Sequence, residues 1–253
     1  MMGSENQIDE LKLYRGDDLR INEHISIRQP TLREICEYGE TEYFHMVRMM
    51  CSVGADLKWQ LDDMGIDYTR ISDFELFTSL LSAQLPRKST AILLGDSMDL
   101  SQMQPTYDEN LKEVILAPQS GPDRQPRIDR YVYNALVTAV RKMHRLRRNE
   151  EVPGNEATRR ILIEEARENY EQSKGMTPHS YLLPLISAMV NSEGFKQDHH
   201  TVFDMKIYPF MDSVQRIERI KNATLLLQSG YSGFGVNLNR IDKDALNWMG
   251  ELK

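Results

Sequence analysis

One stretch constrains this chain more than any other. Between His199 and Gly235, apolar residues recur at Phe203, Ile207, Phe210, Val214 and Ile217. The alternating steps of four and three are the spacing of one helical face. Ile220, Leu225, Leu226 and Leu227 carry the apolar character on, while Asp212, Gln215, Arg216, Glu218, Arg219 and Lys221 occupy the other side. Such a helix needs a second surface, either its own domain or a neighbouring subunit. Pro209 lacks an amide donor, so the helix either starts there or kinks. The Gly230-Tyr231-Ser232-Gly233-Phe234-Gly235 run then breaks it, with the glycines expected to end it in a left-handed turn.

Length and charge set the outer bounds. A chain of 253 residues holds one large domain or two small ones with proper cores. Its net charge of -7 gives no global attraction to nucleic acid or to an anionic membrane. No apolar run has bilayer-crossing length, and the first residues lack the basic and apolar blocks of a secretory signal. Gly3 sits one position too late for myristoylation. Cys36 and Cys51 read as reduced thiols, although a disulfide between them stays open at this level.

The expected fold is mainly α, with a small N-terminal β hairpin followed by short helices. A minor central β element and a C-terminal helical part with a long amphipathic helix complete it. Leu11–Tyr14 and Ile21–Ile27 alternate around Gly16-Asp17-Asp18 and predict the hairpin. Thr31 with Glu34, and Ser72 with Glu75, have the spacing of capping boxes. Helices are expected from Thr31 through Tyr38, over 41–51, around Leu57 and Leu61, and after Ser72 until Pro86. Ala91–Leu94 and Val114–Leu116 read as strands that pair, with polar, irregular chain between them and a loop at 120–123. A helix over 128–146 ends in the basic run Arg141–Arg148, which complements the helix dipole. Asn155 caps a solvent-facing helix to about Ser173, and Thr177-Pro178 opens another that carries Tyr181–Val190 into the core, with Pro184 suggesting a late start or a bend. Glu150–Gly154 is the best linker candidate. The segments are thus 1–86, 87–149 and 150–253.

No catalytic constellation emerges, so no catalytic, cofactor or metal residues are assigned. Asp198, His199, His200 and Asp204 have metal-capable groups, but capping by Asp198 or Thr201 fits the spacing better. His45 near Cys51 lacks a third group and an oxyanion site. The glycines at 230–235 follow a helix, the reverse of a phosphate loop. Two sets of residues are candidates for partner contact: Phe44, Met46, Met49 and Met50, and the stripe Phe203, Ile207, Phe210, Val214 and Ile217. Packing in the chain's own core is the alternative for both.

Two regions carry a resemblance. Ile25–Ile35, Met64–Tyr68 and Ile71–Phe77 are similar to proteins of the tail-morphogenesis region of phages and prophages of Gram-positive bacteria. Tyr231-Ser232-Gly233, Val236-Asn237-Leu238, Ile241-Asp242-Lys243 and Asn247-Trp248-Met249 look like the closing segment of the same group. The resemblance implies a non-enzymatic tail-assembly protein, chaperone-like, that binds the tape-measure protein. A tail or baseplate subunit retained in the virion is the rival. It implies other phage tail proteins as partners, with homo-oligomerisation open and neither nucleic acid nor membrane involved. The place of action would be the host cytoplasm or the virion tail. An enzyme acting on phosphorylated or nucleic-acid substrates through Arg141–Arg148 is a third, weaker reading.

Overall fold

The computed structural model describes residues 8–119, 126–177, 179–232, 235 and 237–252. The chain is mainly α, with two small antiparallel sheets of two strands each among the described residues. The expected hairpin, short helices, central β element and long C-terminal helix are all present.

The N-terminal unit differs in detail from the sequence pattern. Leu11–Tyr14 is helical, within α1 (Glu10–Arg15), rather than a strand. The Asp9 carboxylate accepts from the Leu11 and Lys12 amides at 3.1 and 3.2 Å, and Gly16, at φ +86°, closes the helix. Four residues with two leucines fit either period, and the caps decide. The hairpin is β1 (Leu19–Arg20) with β2 (Ser26–Ile27), placing Leu19 opposite Ile27.

The capping boxes form as the spacing predicts. Thr31 and Glu34 start α2 (Leu32–Tyr38), and Gly39 separates it from α3 (Glu40–Cys51). A 3-10 turn at Gly54–Leu57 leads into α4 (Lys58–Asp63). Ser72 and Glu75 cap α5 (Asp73–Leu76), which widens into a π-helical turn over Phe77–Leu81.

The middle of the chain holds the main correction. Ala91–Leu94 lies in a helix, α6 (Arg87–Leu94), between Pro86 and Gly95. The partner of Val114–Leu116 is instead β3 (Met103–Asp108), drawn from the stretch that reads as irregular. It pairs with β4 (Glu113–Pro118), Thr106 opposite Ile115. A short apolar run between turn residues fits a strand or a buried helix equally, and tertiary pairing chose. The predicted loop at 120–123 falls on residues outside those described.

α7 (Arg130–Met143) follows, capped by Asp129, and then α8 (Glu156–Ser173), capped by Asn155 as predicted. α8 buries only Ile163 and leans on α4 through Trp59 against Tyr170 and an Arg167–Asp63 ion pair. The next helix, α9 (Leu182–Val190), does not begin at Thr177. Its start is fixed by the Ser180 hydroxyl, which accepts from the Leu183 amide at 2.9 Å, and from outside by the Glu40 carboxylate, which accepts from the Leu182 amide at 2.6 Å. Pro178 is not among the described residues, and Pro184 sits in the first turn, where its missing donor costs nothing.

The long helix, α10, spans Ile207–Tyr231. It starts two residues before Pro209, whose ring is accommodated because first-turn amides have no intrahelical acceptor. Its entry is tied to that of α2: the Leu32 amide donates to the Met205 carbonyl and the Ile207 amide to the Pro30 carbonyl, each at 3.0 Å. The helix continues past Gly230 and closes on Ser232 at φ −67°, so the left-handed turn expected from the glycines is not found at Gly230 or Gly235, while Gly233 lies outside the described residues. A 3-10 turn (Leu238–Arg240) and α11 (Lys243–Leu246) fold back along α10. One hydrophobic cluster runs from Leu13 to Met211 and draws on all three segments of the chain.

Candidate interaction surfaces

The first candidate set lies on α3 and mostly faces inward. Met46 is 2% exposed and Met50 is fully buried. Phe44 and Met49 are partly buried against the core. Phe44 meets the Tyr43 and Tyr181 rings edge to face, at 5.2 and 5.0 Å between centroids. Met46 and Met49 also form part of an open groove of about 830 Å³ between α3 and the start of α6, with Tyr38, Leu85 and Lys88.

Behind α3 lies a buried polar contact. The Tyr43 hydroxyl is 2.6 Å from His144 Nε2, and His144 Nδ1 is 2.7 Å from the Val140 carbonyl. A carbonyl can only accept, so Nδ1 carries the proton and Nε2 accepts from Tyr43. Both rings are buried, and burial pushes the His144 pKa down to about 4. Tyr43 is raised well above the usual phenol range for the same reason. The pair holds α3 to α7 as neutral groups.

Most of the basic run at the end of α7 and just beyond it makes internal contacts. Arg141 donates to the Cys51 carbonyl, Lys142 pairs with Glu10, and Arg148 holds Asp73 through two bonds of 3.0 Å. Arg145, at φ +53°, pairs with Asp212 of α10 and lies 4.9 Å over the Tyr208 ring. These cations tie the end of α7 and the residues just after it to α1, α3, α5 and α10. Cys36 and Cys51 are both free, and burial raises the Cys51 thiol to about 12. Asp198 accepts from the His200 and Thr201 amides, each at 2.8 Å, and so caps the turn before α10.

The second candidate set lies in the 3-10 turn Thr201–Asp204 and the first half of α10. Ile207 and Phe210 are fully buried, while Phe203, Val214 and Ile217 are partly buried against the core. These residues key the first half of the helix into the chain itself. The distal half is different. Leu225 is 62% exposed and Tyr231 82%, with Leu226 and Leu227 half-buried. That change was visible in the spacing: continuing the stripe beyond Ile217 lands on Lys221, Thr224 and Gln228. The stripe that packs on the main core therefore ends at Ile217; beyond it Ala223 stays buried outside that cluster, and Leu225 turns to another surface.

Other large apolar side chains stand in solvent as well. Tyr107 and Val114 face each other across the β3–β4 pair at 61% and 46% exposure, with Leu111 in the turn beside them. Comparison with known protein families, with curated proteins and with solved structures finds no match.

Proposed function

We propose that the chain is a non-enzymatic protein-interaction component of phage tail assembly, chaperone-like, with the tape-measure protein as partner. Two things support the reading. The first is the resemblance of residues 25–77 and 231–249 to tail-morphogenesis proteins. The second, which carries it, is the division of α10. A 25-residue helix is anchored by Ile207 and Phe210 and then presents Leu225 and Tyr231 to water. Anchoring one half fixes the orientation of the other, which lowers the ordering cost of binding a partner helix.

The test is mass spectrometry of purified phage particles beside lysate from the same infection. An assembly chaperone is abundant in the lysate and missing from particles. Stoichiometric copies in particles would instead make the chain a tail or baseplate subunit.

A further inference from the structure

Residues 148–173, the linker after α7 together with α8, lie along residues 56–73 as a strap. Within the strap only Ile163 is buried. Most of its hold is polar. Arg148 binds Asp73 through two bonds of 3.0 Å, and Asn149 donates to the Asp56 carboxylate at 2.9 Å. Glu151 pairs with Lys58. Further along, Arg159 meets Asp67 at 3.2 Å and Arg167 holds Asp63 at 2.7 and 3.1 Å. Arg167 also lies 5.6 Å over the Trp59 ring, which meets Tyr170 at 4.8 Å between centroids.

The fit beneath the strap is incomplete. A cavity of about 270 Å³ separates residues 148–153 from Gly54, Ala55 and Tyr68. The Tyr68 hydroxyl, near enough to Glu151 and Arg159 to sense both charges, is buried without a partner among the described residues. A buried hydroxyl left unpaired disfavours the closed arrangement, and water admitted by opening would satisfy it. Neither helix nor strand flanks α8 directly, and Gly154 and Gly175 stand on either side of it in open space. Both glycines leave the backbone free to turn there.

We propose that residues 148–173 are a detachable strap, which lifts off residues 56–73 as one unit in the native protein and is released by salt. Partly exposed ion pairs are weakened by screening, whereas the apolar packing of α3, α7 and the first half of α10 is not. With one buried residue, the strap opens at a small fraction of the cost of global unfolding. Opening uncovers Trp59 and the face of α4 on which α8 packs. Once lifted, an 18-residue helix is marginal in water, so its amides exchange. The inference rests on the strap's own contacts and stands apart from the tail-assembly reading.

The test is amide hydrogen exchange of the full-length wild type, read by mass spectrometry at low salt and at about 1 M sodium chloride, where the screening length is about 3 Å. The middle of α8, around Ile163, should exchange as fast as its ends and about tenfold or more faster than Tyr133–Val140 of α7. High salt should speed α8 by about threefold or more and leave Tyr133–Val140 unchanged. Asp63→Asn with Asp67→Asn removes two of the charges that hold the strap, while Asn at 67 can still accept from Thr69. This variant should speed α8 by a similar factor at low salt and blunt the salt response. Protection of α8 equal to that of α7, or exchange graded inward from the helix ends, would overturn the proposal. So would a salt response shared by both helices, or a double variant whose α8 exchanges no faster than the wild type's.

Discussion

Acid should loosen the contact between α3 and α7 through a single histidine. His144 is neutral in the fold, with Nδ1–H donated to Val140 and Nε2 accepting from Tyr43. Its pKa falls from 6.5 in the unfolded chain to about 4 in the fold. Between those values the unfolded chain binds the extra proton and the folded chain does not, so stability decreases as pH falls. The stabilisation is present in full above pH 6.5 and fades on acidification until the folded group itself titrates near pH 4. A separation of that size corresponds to about 3 kcal/mol at 1.36 kcal/mol per unit. Urea unfolding of the wild type and of His144→Gln, at pH 7.5 and at pH 4, isolates the effect, because the carboxylates titrate in both proteins and cancel. The wild type should lose about 3 kcal/mol more than the variant over that interval. Equal losses in the two proteins would refute the assigned neutral tautomer and its role.

Further outcomes follow from other buried contacts. Asp212→Ala strands the Arg145 guanidinium between α7 and α10 and should cost about 3 kcal/mol in denaturant unfolding. Leu225→Ala should leave the melting temperature nearly unchanged, whereas Phe210→Ala in the same helix should cost about 3–5 kcal/mol. At Gly54 a Cβ would overlap the Tyr68 carbonyl, so Gly54→Ala should destabilise by about 1–3 kcal/mol, read by calorimetry. Of the two thiols, Cys36 should react with a maleimide in the native protein and Cys51 only after unfolding.

The pattern of what the sequence revealed follows the range of the forces involved. α2, α5 and α8 were legible because Thr31, Ser72 and Asn155 cap within three residues of their own chain. For α9 the late start that Pro184 suggests is the one found, held by the local Ser180 hydroxyl and by Glu40, which comes from far away in sequence. The β3 strand was missed since its polar residues form a strand only by pairing with Glu113–Pro118. Ala91–Leu94 could be either element until packing decided. The candidate surfaces were half legible. An apolar stripe says that a face is covered, and Ile207 and Phe210 show that here the chain covers it itself. The loss of phase after Ile217 was the one sequence signal for the exposed leucines beyond.

The claim that the distal half of α10 is the surface for a partner can be met directly. A photo-crosslinking amino acid at Leu225, in full-length chain expressed during phage growth, should capture the tape-measure protein. The same residue placed at Glu164, on the exposed face of α8, serves as the control. Capture at 225 and not at 164 is the result the account predicts. Equal labelling at both positions, or none of any tail protein, would contradict it.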